Sequence, residues 1–274
     1  MKKALTLLTV ILVTALSLTG CGKATKNSIT VISREEGSGT RSAFEELVEI
    51  DETTALAEIS DSTAVMITTV EGNTSAIGYI SLGAMSDAVK ALKIDNVEAC
   101  SENIKNGTYK ISRPFNIATR SDISNIAQDF IKFILSEQGQ KVIENNKYIS
   151  SGNTGVYTAK NLSGTIKIAG SSSVTPVMEK LKEAYNSLNP DVIIDLQQSD
   201  STNGITSTIE GICDIGMVSR ELKASEISKG LNSTAIALDA IVVIVNQENP
   251  LDNISIEQLS GIYTKKINLW SEIK

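Results

Sequence analysis

One local pattern occurs twice in this chain and restricts its fold class. In it, a short β-branched strand runs through a tight Gly/Ser turn into an amphipathic helix. The first copy is Ile29 to Ser33, then Glu35-Glu36-Gly37-Ser38-Gly39-Thr40, then Phe44, Leu47 and Val48 at i, i+3 and i+4. The second is Thr165-Ile166-Lys167-Ile168-Ala169, the turn Gly170-Ser171-Ser172-Ser173, and a helical face of Val177, Met178, Leu181 and Tyr185. Pro176 falls in the first turn of that helix, where its missing N–H is tolerated. Further strands are expected at Val192 to Leu196, Ile215 to Val218 and Ile241 to Asn246, the last a continuous apolar run suited to a strand buried on both faces. Helices are expected at Ile123 to Leu135, Gly204 to Glu210 and Ser255 to Tyr263, where Ser255 and Gln258 resemble a capping box. Alternating strands and helices in 274 residues predict an α/β protein of two lobes. The stretch Ser150-Ser151-Gly152-Asn153-Thr154-Gly155 has the composition of an internal linker.

Both Gly/Ser turns lie where a helix begins, so they offer unpaired backbone N–H groups at the positive end of a helix dipole. Such a turn can hold an oxyanion without a lysine, and Arg34 beside the first turn can add a bidentate guanidinium. Read from the residues alone, the same turns serve equally well as ordinary helix caps. Neither is a nucleotide loop: Gly37-x-Gly39 lacks a third glycine, and no Gly-Lys-Ser/Thr is present.

Composition removes several function classes. The chain contains no histidine, which excludes Ser-His-Asp and Cys-His catalysis and imidazole-ligated metal. No metal-ligand spacing is present, and no cofactor is expected; a secreted enzyme acting on phosphate esters is disfavoured on the same grounds. With 25 Lys+Arg against 32 Asp+Glu, the formal charge of −7 argues against nucleic acid. It does not exclude a small anion, because helix termini and hydroxyls act locally.

The chain opens with Met1-Lys2-Lys3, an apolar run from Ala4 to Thr19, and Leu18-Thr19-Gly20-Cys21. That run is short for a membrane span and suits a secretory leader. The tetrapeptide resembles a bacterial lipobox, which implies a signal peptide over 1–20, lipidation of Cys21, and a tether over 21–27. The folded part is then extracytoplasmic and anchored to the membrane, with an uncleaved anchor or a plain signal peptide as the alternatives. Of the remaining cysteines, Cys213 lies in an apolar run and is expected as a small buried hydrophobe; a Cys100–Cys213 bridge is not legible from the sequence.

The segment Ile32-Ser33-Arg34-Glu35-Glu36-Gly37-Ser38-Gly39-Thr40-Arg41-Ser42-Ala43-Phe44 closely resembles the signature of the phosphate-binding subunit of the bacterial high-affinity phosphate ABC transporter. Ala169 to Pro176, Asp214 to Leu222 and Val245 to Leu251 resemble three more motifs of that family, and the similarity runs through the whole chain after Asn27. The resemblance implies a type II periplasmic-binding-protein fold in which two hinged α/β lobes close on one phosphate. It implies delivery to a permease by a monomeric protein that is not an enzyme. A binding protein for sulfate or molybdate, or a phosphate sensor without a permease, are the rivals.

The motif order differs from that of most members, in which the Gly-Ser-Ser-Ser turn comes first and Arg-Glu-Glu-Gly-Ser-Gly-Thr last. Joining Lys274 to Ser28 restores the usual order, so the chain is expected to be circularly permuted, with a linker near 150–164. Lobe I is then continuous over 112–238, and lobe II is split between 28–111 and 239–274. Carried over motif by motif, the phosphate ligands implied are Arg34, Ser38, Gly39 and Thr40 from one lobe. Ser172, Ser173, Ser201, Ser219 and Arg220 come from the other, although a salt bridge to Glu221 or Glu226 is the alternative for Arg220. A phosphate site also needs an acceptor for the ligand's proton, for which Glu36 is the first candidate and Asp200 and Asp214 follow. Asp214 is better read as a carboxylate supporting local backbone.

Overall fold

A computed structural model describes residues 27–273, so the leader, the Cys21 lipidation motif and nearly all of the tether lie outside the described residues. Strand and helix alternate from the start. β1 (Thr30–Arg34) leads into α1 (Gly39–Leu47), and β2 (Glu58–Ser60) into α2 (Thr63–Glu71). β3 (Ala76–Ser81), β4 (Val89–Ala91), β5 (Lys93–Ile94) and α3 (Ser101–Lys105) follow. Next come β6 (Ser112–Thr119), α4 (Asn125–Ile134), α5 (Glu137–Asn145) and β7 (Ile149–Ser150). The second strand–turn–helix copy supplies β8 (Gly164–Ser171) and α6 (Thr175–Leu188), then β9 (Val192–Ser199), α7 (Ser201–Ile209), β10 (Ile215–Val218) and α8 (Ala224–Ile227). β11 (Asn232–Asn246), β12 (Asn253–Ile254), α9 (Ile256–Tyr263) and a short 3-10 turn at Trp270–Glu272 complete the described residues.

The main sheet runs in the order β2-β1-β3-β11-β6-β10-β8-β9. Its flanks are parallel, β1 with β2 and β3, and β8 with β9 and β10, a pairing that needs crossover connections such as the helices between these strands. Its centre is antiparallel and belongs to β11. Asn232 to Ala240 lie against β6, and Ile241 to Val245 lie against β3, so one strand ties the flanks together. Side chains alternate along it. Ile241, Val243 and Val245 enter a core with Phe44, Tyr79 and Tyr263, while Val242 and Ile244 enter a second core with Met66 and Val70. Burial on both faces accounts for the continuous apolar run. On the other flank, Ile166, Ile168 and Ile215 pack with Phe130, Phe133, Met178 and Tyr185, and a smaller cluster of Ile205, Val218 and Leu231 covers the opposite face.

The two main cores divide the chain unevenly. One draws on 29–111 and 240–273, with Ile149 and Leu238 at the junction; the other draws on 115–237. We call these the split half and the continuous half. The two ends of the described chain meet: the Ile29 N–H donates to the Asn268 carbonyl at 2.8 Å, and the Trp270 N–H to the Asn27 carbonyl at 2.9 Å.

Several elements depart from the pattern read in the sequence. The strand expected at Ile241 is the second part of a 15-residue strand, whose first part opens on Asn232-Ser233-Thr234 and carries Asp239, polar residues that cut its apolar stretch down to Ala235 to Leu238. β6 holds Arg113, Pro114 and Asn116, which disguise a central strand. α2 is rich in β-branched residues and favours a strand locally; the Ser62 cap, whose Oγ accepts from the Val65 N–H, and packing of Met66 and Val70 make it a helix. Residues 151–163 form no regular element, yet they are fastened down by the Thr154 N–H on the Leu135 carbonyl and by the Tyr157 hydroxyl on Asp129 at 2.6 Å. Cys100 and Cys213 are both free, and Cys213 is buried.

Candidate functional site

β1 delivers Arg34 to the boundary between the halves. Its position is fixed from behind by Tyr79, whose hydroxyl accepts from the Arg34 N–H at 3.2 Å and shares a 2.8 Å hydrogen bond with Ser33. Tyr79 stacks on Phe44 at 4.1 Å between ring centroids, and burial pushes its hydroxyl pKa up to about 12. Arg34 is 2% exposed, and its guanidinium donates from Nε and Nη2 to the two oxygens of Glu35, each at 2.7 Å. Glu35 thus holds the fork of Arg34 rigid. After the turn, Ser38 caps α1, its Oγ accepting from the Arg41 N–H.

Across the boundary, Arg34 Nη2 also donates to Ser172 Oγ at 2.9 Å. Thr40 and Ser173 share a hydroxyl–hydroxyl bond of 2.8 Å, and Thr63 lies 3.2 Å from the Ser173 hydroxyl. Ser219 completes the group. Its Oγ accepts from Ser171 at 2.9 Å and lies 3.3 Å from Ser201 Oγ, which in turn accepts the Ser219 N–H. Every one of these side chains is buried. Four helices start here: Thr40 lies in the first turn of α1, Thr63 opens α2, Ser201 opens α7, and Ser172-Ser173 immediately precedes α6.

Such a cluster offers one guanidinium, a set of hydroxyls and four helix dipoles whose positive ends converge. It suits a small tetrahedral oxyanion stripped of water. Gly39 permits the close approach. A Cβ there would lie 2.8 Å from Ser219 Oγ and closer still to Ser201 Oγ, both in the opposite half. Beside the cluster, the Thr202 N–H and hydroxyl both donate to the Gly37 carbonyl, at 3.2 and 3.1 Å, and latch the halves together. Among the described residues, no group of His, Cys, Asp and Glu is placed to hold a metal.

The structure brings Arg34, Ser38, Gly39, Thr40, Ser172, Ser173, Ser201 and Ser219 to one boundary. It does not bring in Arg220 or Glu36. Arg220 turns its guanidinium onto Glu226 in a two-pronged pair of 2.8 and 2.9 Å and onto the Glu221 carbonyl. The Glu226 carboxylate, six residues on in the first turn of α8, holds the guanidinium away from the hydroxyls. Glu36 is exposed and lines a polar cleft with Arg41 and Lys223; Glu35 is the carboxylate that touches Arg34. Asp200 caps α7 by accepting the Asn203 N–H, and Asp214 accepts the Lys167 N–H, so both carboxylates support backbone. Two further residues, Thr63 and Ser171, join the cluster. Thr63 follows Ser60-Asp61-Ser62, a third polar strand-to-helix turn, and Ser171 ends β8 just before the Ser172-Ser173 pair. The turn before Thr63 was the available signal.

Residues 22–138 and 155–273 match the family model of the PBP superfamily domain. The phosphate-binding protein PstS 2 of Streptococcus agalactiae is 49% identical over 271 residues, covering 93% of this chain and 92% of that protein. The protein of the same name from Streptococcus pneumoniae is 45% identical over 290 residues, covering 100% of this chain and 99% of its own length. A crystal structure of a phosphate ABC transporter phosphate-binding protein from Streptococcus pneumoniae superposes with a TM-score of 0.72 at 46% identity, over 90% of this chain and 100% of that one.

Proposed function

The chain belongs to the PBP superfamily and, within it, to the phosphate-binding proteins of the PstS kind, and from that premise we propose that it captures inorganic phosphate between its two halves and hands it to an ABC permease. It binds and releases its ligand and is not an enzyme. The observation that carries the reading is the buried union of Arg34 with hydroxyls drawn from both halves, at 2.9 Å to Ser172 and 2.8 Å between Thr40 and Ser173. Because both halves donate to the anion, the ligand favours the closed arrangement over an open one and shifts the population toward it.

The ligands in this reading are Arg34, Ser38, Gly39, Thr40, Ser172, Ser173, Ser201 and Ser219, with Thr63 and Ser171 added. The split half, 28–111 with 239–274, and the continuous half, 112–238, act as the two lobes, and the crossing of β6 and β11 between them is the hinge. Circular permutation is supported by the meeting of the chain ends, Ser28 against Leu269, and by the irregular 151–163 segment where the usual ends would have been joined. Linking 273 to 27 and reopening the chain within that segment is expected to yield a folded protein with unaltered phosphate affinity. The protein works outside the cytoplasmic membrane, as a monomer tethered through lipid on Cys21. No helix among the described residues is long and apolar enough to cross a membrane.

Calorimetric titration with phosphate and sulfate from pH 5 to 9 tests the reading. Saturable phosphate binding with sulfate weaker at every pH is the expected result. No heat with phosphate at micromolar protein would overturn phosphate capture, and equal sulfate affinity would overturn phosphate selectivity.

A further inference from the structure

An anion site must turn donors inward and acceptors outward, and the loop after β10 is where that requirement is hardest to meet. Ser219 contributes its N–H and hydroxyl to the cluster, but its own carbonyl and that of Arg220, in the next two peptides of the chain, are negatively polarised and lie close by. Both carbonyls are taken from behind by side chains of one strand. Arg113 Nη1 donates to the Ser219 carbonyl at 2.9 Å, and Asn116 Nδ2 donates to the Arg220 carbonyl at 2.9 Å. Arg113 and Asn116 are 3% and 2% exposed, so neither serves solubility. Arg113 is itself held by Asp239 Oδ2 at 3.3 Å, directly opposite on β11, while Asp239 Oδ1 accepts from Ser81 at the end of β3. These contacts form a continuous line from the split half, through the β6–β11 crossing, to the anion cluster.

We propose that Arg113 and Asn116 are positioning residues for anion capture, which pin the Ser219 and Arg220 carbonyls away from the ligand and thereby keep the Ser219 hydroxyl aimed at it. A buried carbonyl released from its donor would either lose its hydrogen bond or rotate toward the ligand, and either outcome weakens an anion in a water-free site. A charged donor on a carbonyl is the stronger of the two contacts, which makes Arg113 the dominant member. The inference rests on the phosphate reading above.

A double-mutant cycle separates positioning from general structural support. Phosphate affinity is measured by calorimetry for the wild type, Arg113→Lys, Ser219→Ala and the double variant. If Arg113 acts through Ser219, each single substitution weakens phosphate binding about tenfold, and the double variant is no weaker than the worse single. Multiplying losses, about a hundredfold in the double variant, or an unchanged affinity in Arg113→Lys, would overturn the inference. Should Arg113→Lys not fold, Asn116→Ala enters the same cycle with the same expectation. A wild type that binds no phosphate would sink the phosphate reading itself, whereas a binding wild type with additive losses sinks only the positioning role.

Discussion

Replacing Gly39 by alanine is expected to weaken phosphate capture while leaving the unliganded protein as stable as before. Gly39 is the first residue of α1, its φ is not in the left-handed region, and alanine is intrinsically the better helix former there. Within the split half, therefore, the substitution costs nothing. The cost arises only where the halves meet. The new Cβ would come within 2.8 Å of Ser219 Oγ and nearer still to Ser201 Oγ, which are held in the continuous half by Ser171 and by the Ser219 N–H. Forcing one methyl into a packed contact costs about 1–3 kcal/mol, which corresponds to a dissociation constant raised roughly 5- to 150-fold. Calorimetry gives the affinity, and thermal unfolding without phosphate gives the stability. An affinity within twofold of the wild type would refute the argument that the halves close on each other at Gly39. Loss of stability without ligand would refute the claim that the contact matters only on closure.

Three further expectations follow from the same geometry. Arg34→Lys keeps the charge but loses the fork that spans Glu35 and Ser172, and phosphate affinity should fall by at least about tenfold in titration calorimetry. Arg220→Met should cost about 1–3 kcal/mol in denaturant unfolding, since it strands Glu226, yet change phosphate affinity by less than about threefold. Asp239 is fully buried, and burial pushes its carboxyl up to about 6 from 3.8 against the pull of Arg113. The folded protein thus keeps a proton that the unfolded chain has already released, so raising the pH favours unfolding. Relative to Asp239→Asn, the wild type should lose about 1–3 kcal/mol of stability as pH rises from about 4 to about 7, with no further change above; a flat difference across that range would refute the assignment.

Much of the site could be read in advance because it is local. Ser38-Gly39-Thr40 and Ser172-Ser173 each follow a strand and precede a helix, and hydrogen-bond donors at a helix start are a property of the segment itself. Thr63 is harder to read because its helix is β-branched and becomes helical through packing of Met66 and Val70. Arg220 is implied by a family motif and Glu36 by the need for an acceptor of the ligand's proton, yet which way a long side chain turns depends on charges brought near by folding. For Arg220 that charge is Glu226, and for Glu36 it is the open cleft shared with Arg41 and Lys223.

By itself, then, the sequence determined the α/β class, the two oxyanion-ready turns and the exclusion of histidine chemistry. These follow from residue periodicity, backbone donors and composition, none of which needs a neighbour from elsewhere in the chain. Only the tertiary structure decided that the turns face each other, that β11 is long enough to tie the halves together, and that Arg113 and Asn116 stand behind Ser219 and Arg220. Those are contacts across 100 residues or more, and they are fixed by strand register and burial.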